Sequence, residues 1–118
     1  QLIGQYKTNI EMVIANSDSM ALGAIDAYEK LGYTESNIPV FFGIDGTDEG
    51  LEAVQKGKIA ATVYNDKEGQ AAAMANLAFS IATEDENNPN PFKNYKYIYR
   101  AYQKVTKENV QTFLEKEE

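Results

Sequence analysis

Three short, unbroken apolar runs punctuate the first half of the chain, and each ends in amide or carboxylate side chains. Met12-Val-Ile-Ala15 runs into Asn16-Ser17-Asp18, Ile38-Pro-Val-Phe-Phe-Gly-Ile44 into Asp45-Gly46-Thr47, and Ile59-Ala-Ala-Thr-Val-Tyr64 into Asn65-Asp66. Continuous apolar runs of this length predict strands of a parallel sheet covered on both faces, rather than the alternating strands of a half-solvated one. Pro39 is tolerable at the first position of such a strand. Between the first two runs, Met20, Leu22, Ile25, Tyr28 and Leu31 recur at roughly helical spacing. Ser17 or Asp18 is suited to cap that helix and Gly32 to end it. A second, shorter helix follows from the cap Thr47 through Leu51 and Val54 to Gly57. Right-handed crossovers through these helices would set all three strand ends on one edge of the sheet, where open α/β folds place their ligand groups.

Elsewhere the pattern is less regular. Leu2, Ile3 and Tyr6 fit the last turns of a helix, and the alanine-rich stretch from about Lys67 to Ala82 predicts a third helix suited to close packing. Thr83 to Asn94, with Pro89 and Pro91, reads as an exposed loop. Tyr95 to Tyr102 alternates and is rich in aromatics, which predicts a strand with one buried face, and a final helix starts at Thr106 and runs through Val110, Phe113 and Leu114. No internal repeat is visible.

Composition narrows the function more than the fold. The 118 residues suffice for one modest core, and a formal net charge of −7 with a pI near 4.6 disfavours nucleic acid and anionic membranes as partners. There is no histidine and no cysteine, so a His base, His-ligated metal, thiolate metal sites and disulfides are all excluded within this chain. No apolar run approaches the roughly 20 residues of a membrane span. The chain begins at Gln1, as expected of a fragment or processed product.

An Asn amide donates and accepts, and a carboxylate accepts through two oxygens, so the residues at the strand ends match the mixed character of vicinal hydroxyls. Charge-assisted bonds make Asp45 the natural anchor for a neutral polyol such as a sugar. The alternative is that these groups cap helices, which suits Asp18 and Thr47 best. The tyrosines at 95, 97, 99 and 102 offer either rings for stacking on a sugar or cross-strand packing. Gly43, Gly46 and Gly50 do not make a phosphate loop, and no carboxylate pair has glycosidase spacing.

Glu11-Met-Val-Ile-Ala-Asn-Ser-Asp-Ser-Met-Ala-Leu-Gly23, Val40-Phe-Phe-Gly-Ile-Asp-Gly46 and Ala61-Thr-Val-Tyr-Asn-Asp66 resemble the carboxyl-terminal part of the galactose/glucose-binding proteins. These belong to the periplasmic binding protein superfamily, type I, of sugar ABC transporters. The similarity covers nearly the whole chain. Parts of it are shared with ribose binders and with the effector cores of lactose-repressor-type regulators. The resemblance implies an α/β, Rossmann-like parallel sheet flanked by helices, present as a partial two-lobe protein. Residues 1–65 and 103–118 would form the carboxyl-terminal lobe, and 66–102 the hinge crossings and part of the other. It implies sugar contacts at Asp45 and Asn65. Ser17 stands where the family has a sugar-contacting Asn, so that Asn16 or a water would compensate, or the sugar preference would differ. Glu11 matches a carboxylate that completes a calcium site in some members, although calcium takes about six to eight oxygens and no other ligand is present here.

The function implied is non-catalytic capture of a hexose, galactose or glucose, in the periplasm or at the bacterial cell surface, for the membrane subunits of an ABC transporter or for a chemoreceptor. No cofactor is required; a structural calcium in the full-length protein is the one candidate ion. The alternative is the sugar-sensing core of a lactose-repressor-type transcription regulator, with an enzyme on the same scaffold a distant third. With half of the enclosing cleft absent, the isolated chain is not expected to hold a sugar tightly.

Overall fold

The computed structural model describes residues 1–83 and 97–115. The described residues divide between two compact units, one formed by Gln1–Asn65 with the segment from Gln103 onward, the other by segments within Asp66–Tyr102.

The first unit opens with a short helix α1 (Leu2–Tyr6) and a 3-10 turn (Lys7–Asn9). It continues as β1 (Met12–Ile14), α2 (Asp18–Lys30), β2 (Val40–Phe42), α3 (Asp48–Gln55) and β3 (Ala61–Tyr64). After the second unit's helix α4 (Lys67–Thr83), the chain returns to the first through β4 (Gln103–Thr106) and α5 (Gln111–Leu114). The sheet order is β1-β2-β3-β4, with the first three strands parallel and β4 antiparallel to β3. Thus the strands and crossovers of the first half lie where the apolar runs predict them, each strand a residue or more shorter than its run.

Burial differs from the expectation for a fully covered parallel sheet. Val13, Ala15, Phe41, Thr62, Tyr64 and Val105 face α2, α3 and α5, whereas Met12, Ile14 and Val40 are 54%, 72% and 49% exposed. Strand order explains this. When successive parallel strands are laid down in one direction, right-handed crossovers put every helix on the same face, and the opposite face receives none. The apolar runs register a two-faced burial that the described residues satisfy on one face only. On that face α3 is the centre of packing: Leu51, Ala53 and Val54 are buried among Ile25, Phe41, Ile59, Val105 and Phe113. Full burial of a Leu or Val side chain is worth about 1.5–3 kcal/mol, so this helix alone accounts for several.

Local signals set the helix ends. Ser17 caps α2, its hydroxyl accepting from the Met20 N–H, and Thr47 caps α3, accepting from the Gly50 N–H at 3.1 Å. Gly32 and Gly57 follow the two helices with positive φ, the left-handed position that ends a helix.

Two expectations in the carboxyl-terminal part are corrected. Tyr97 makes only an isolated bridge and residues 98–102 form no strand; Tyr97, Tyr99 and Tyr102 are exposed, and the strand comes later, at Gln103–Thr106, where it pairs with β3. Alternating aromatics supply β propensity, but backbone partners decide where a ladder forms. The final helix is likewise shorter: Thr106 belongs to β4, a turn follows, and α5 begins at Gln111. In the second unit α4 has the predicted span but buries none of its residues, so its alanines do not pack closely here. The expected loop from 84 onward, together with Tyr95, lies outside the described residues.

Candidate functional site

The polar residues after β1, β2 and β3 share one sheet edge because the parallel ladder continues past the strands. Ala15 N–H donates to the Phe42 carbonyl at 3.0 Å and Asp18 N–H to the Ile44 carbonyl at 2.8 Å, tying the first strand end to the second. Asp45 N–H donates to Val63 at 2.9 Å and Asn65 N–H to Asp45 at 2.9 Å, tying the second to the third. Ser17, Asp45 and Asn65 are therefore contiguous along the edge, each half-buried, and Asn16 beside them is exposed. All four candidate ligand residues are thus placed by the structure at the carboxyl edge of the parallel strands.

The geometry at Asp45 is special. Its φ is 108° and that of Gly46 is 67°. A non-glycine residue with a positive φ of this kind costs on the order of 1–3 kcal/mol. Gly46 is required twice over, since a Cβ there would lie 3.0 Å from the Tyr64 Cα. Strain of this kind persists where surrounding structure holds it, which makes Asp45 a functional candidate on backbone grounds as well as by chemistry.

Ser17 serves as the cap of α2, its Oγ also sharing a hydrogen bond with the Ser19 hydroxyl at 3.1 Å. Capping and ligand contact are compatible here, because a hydroxyl that accepts from Met20 N–H still has a proton to donate.

Asp18 overturns the expectation that it caps the helix. It is completely buried, one carboxylate oxygen accepting from the Thr62 hydroxyl at 2.6 Å and the other from the Thr47 N–H at 2.9 Å. A Cβ on Gly43 would lie 2.1 Å from one of its oxygens and a Cβ on Gly50 2.2 Å from the other. The two glycines therefore make the space that the carboxylate fills. The signal in the sequence was Thr62, a hydroxyl in a run of apolar residues, since a buried polar side chain needs a partner.

Glu11 is exposed at the start of β1, and among the described residues no three acidic, His or Cys side chains cluster as a metal site would need. One carboxylate falls far short of calcium's oxygen shell, so the residues present do not make up a calcium site, and no binding step is assigned to one. Asp66 turns to a local task, accepting from the Gly69 N–H at 3.0 Å at the start of α4.

An open α/β unit with polar groups ranged along the carboxyl edge of its parallel strands has the arrangement in which open α/β sheets place their ligand groups. More specifically, the chain belongs to the periplasmic binding protein domain family, whose model matches residues 1–86, and its fold is the type I fold of that superfamily. It is 39% identical over 74 residues to the D-galactose/methyl-galactoside binding periplasmic protein of Haemophilus influenzae, covering 63% of this chain and 21% of that protein. It is 32% identical over 103 residues to a putative rhizopine-binding protein of Rhizobium meliloti, 87% of this chain and 31% of that one. Among solved structures, an ABC transporter solute binding protein of Bacillus halodurans with bound myo-inositol matches with a TM-score of 0.74 at 36% identity, over 91% of this chain and 34% of that one. The chain thus spans about a fifth to a third of the length of these relatives.

Proposed function

We propose that this chain is the carboxyl-terminal, sugar-contacting part of an extracytoplasmic binding protein that delivers a hexose, galactose or glucose, to an ABC transporter without catalysis. The observation that carries the reading is the contiguous row of Ser17, Asp45 and Asn65, joined by backbone hydrogen bonds across three parallel strand ends. Hydroxyls of a pyranose would donate to the Asp45 carboxylate and pair in both senses with the Asn65 amide. The identity of 39% to a galactoside-binding protein supports the sugar class. A bound myo-inositol in one relative and a xylitol-binding protein among the others widen the field to polyols generally.

In this reading Asn16 and Ser17 touch the hydroxyls nearest α2, Asp45 anchors the centre and Asn65 the far side. Enclosure of the sugar, hinge closure and recognition by transporter subunits or a chemoreceptor belong to the intact protein, because one sheet edge leaves a ligand half in water. Among the described residues no helix is long and apolar enough to cross a membrane.

Calorimetric titration of the full-length protein with D-galactose, D-glucose, D-ribose, xylitol and myo-inositol tests the reading. Tight binding of a hexose, weakened at least about tenfold by Asp45→Ala and by Asn65→Ala, is the expected result. Unchanged affinity in both variants would remove the edge as the site.

A further inference from the structure

Asp45 sits in a costly backbone conformation, and its own N–H and C=O are tied to β3. The residues that flank the positive-φ pair are held by Asp18. The Asp18 N–H donates to the carbonyl of Ile44, the residue before Asp45, and the Asp18 carboxylate accepts from the N–H of Thr47, two residues after it. The positive-φ pair Asp45-Gly46 therefore lies between two attachments made by one residue. That residue is itself immobilised: it begins α2, is fully buried, and its second carboxylate oxygen is tied to the Thr62 hydroxyl on β3. Gly43 and Gly50 complete the bracket by leaving the space that the carboxylate fills, since a Cβ on Gly43 would lie 2.1 Å and one on Gly50 2.2 Å from its oxygens.

We propose that Asp18 is the positioning residue of the sugar site, a buried bracket that holds Asp45 at its strained φ and fixes its spacing from Ser17 and Asn65. The inference rests on the reading of Asp45 as a sugar ligand. It assigns Asp18 no contact with the sugar. The chain neighbour Ser17 and the β3 end at Asn65 are linked to the same carboxylate, Ser17 through the peptide bond and Asn65 through the strand that carries Thr62. All three ligand positions are thus referred to one buried group, and a shift of that group moves Asp45 relative to the other two.

The chemistry makes a graded prediction. Alanine removes both acceptors. Asparagine keeps one for the Thr47 N–H, and its NH2 can donate to the Thr62 hydroxyl, which then turns to accept. Asp18→Asn should therefore preserve most of what Asp18→Ala loses.

Two measurements on the full-length protein test the bracket. The first is amide hydrogen exchange without sugar. In Asp18→Ala, exchange at Thr47 and Asp45 should rise at least about tenfold relative to Met20, whose N–H is held by Ser17, and Asp18→Asn should restore most of the protection. The second is a double-mutant cycle with D-galactose as the probe. Asp18→Ala should weaken binding about tenfold when Asp45 is present and less than about twofold when Asp45 is already Ala, because a group that acts through Asp45 has nothing left to position. If Asp18→Ala does not fold, Gly50→Ala pushes on the same carboxylate with Asp18 in place and should give the same pattern. Exchange at Thr47 and Asp45 no faster than at Met20, or losses from the two residues that add in full, would overturn the proposal. Should Asp45→Ala leave affinity unchanged, the sugar-site reading fails, and the exchange experiment still decides the bracket alone.

Discussion

The carboxylate of Asp18 accepts a hydrogen bond from the backbone N–H of Thr47 at 2.9 Å, across 29 residues of sequence. It joins the start of one crossover helix to the cap of the next, and with the Thr62 hydroxyl at 2.6 Å it makes a polar centre inside an otherwise apolar core. Buried charge is tolerated only where hydrogen bonds satisfy it. The bonds around Asp18 therefore contribute to stability as well as to placement.

Thr62→Val tests that contribution directly. Valine has nearly the same shape, so the change deletes a hydroxyl and leaves one carboxylate oxygen without its donor. Losing a buried hydrogen bond to a charged group costs about 1.5–3 kcal/mol. Urea unfolding should show that loss with an unchanged denaturant slope, since no surface is newly exposed.

Gly50 and Gly23 make a matched pair with opposite expected signs. Glycine to alanine inside a helix ordinarily gains about 0.5–1 kcal/mol. Nothing lies within 4 Å of a Cβ on Gly23, so Gly23→Ala should show that gain. A Cβ on Gly50 would sit 2.2 Å from a carboxylate oxygen of the fully buried Asp18, which has nowhere to go. Gly50→Ala is expected to destabilise by about 1–3 kcal/mol, the usual cost of overpacking. Thermal melts of the two variants decide it.

These residues also mark how far the sequence could be read. The apolar runs, the caps Ser17 and Thr47 and the glycines after each helix are local signals, and the strands and helices through Tyr64 stand where those signals put them. The row Ser17, Asp45, Asn65 follows from strand order plus crossover hand, both of which can be argued from pattern. Asp18 was misread because its chain position before a helical period suits a cap equally well, and only the three-dimensional approach of Thr47 and Thr62 distinguishes the roles. β4 was missed because Gln103-Lys104-Val105-Thr106 has a single buried apolar residue; its place is set by pairing with β3, which no periodicity encodes.

Tyr28 offers a test by pH. Its ring is buried edge-on against Tyr33 and Phe41, and among the described residues its hydroxyl has no hydrogen-bond partner. Burial, and secondarily the neighbouring Tyr33, raises its pKa above the ordinary tyrosine value. A raised acid binds its proton more tightly in the folded state. The resulting stability is fully present below the unfolded pKa of about 10 and is lost as pH rises through the higher folded value. Tyr28→Phe removes an unsatisfied buried hydroxyl and this alkaline sensitivity together. The variant is expected to be as stable as the parent or up to about 1 kcal/mol more so near neutrality. Its advantage should widen above about pH 10, as denaturation followed against pH would record.

Ser17→Asn addresses ligand choice rather than stability. Asparagine caps helices as well as serine does, so unfolding should be unaffected. Its amide reaches farther and adds a donor and acceptor pair at the end of the ligand row, next to Asp45. If Ser17 faces a sugar hydroxyl, the ranking of D-galactose, D-glucose and D-ribose in competition titrations should change while binding survives. An unchanged ranking would leave Ser17 as a cap alone.

Asp45→Gly separates the two properties of the strained residue. With φ at 108°, Asp45 occupies a region that glycine enters freely, so the substitution relieves strain on the order of 1–3 kcal/mol. Against this stands the greater entropy of glycine in the unfolded chain, about 0.4–1 kcal/mol. The balance favours the variant, and a stability equal to the parent or about 1 kcal/mol higher is expected in urea unfolding. The same change deletes the central carboxylate, so sugar affinity should fall at least about tenfold. A residue kept for folding would not give this pairing of gained stability with lost binding. If Asp45→Gly were instead destabilised and bound sugar as the parent does, the strain would be structural and the ligand assignment wrong.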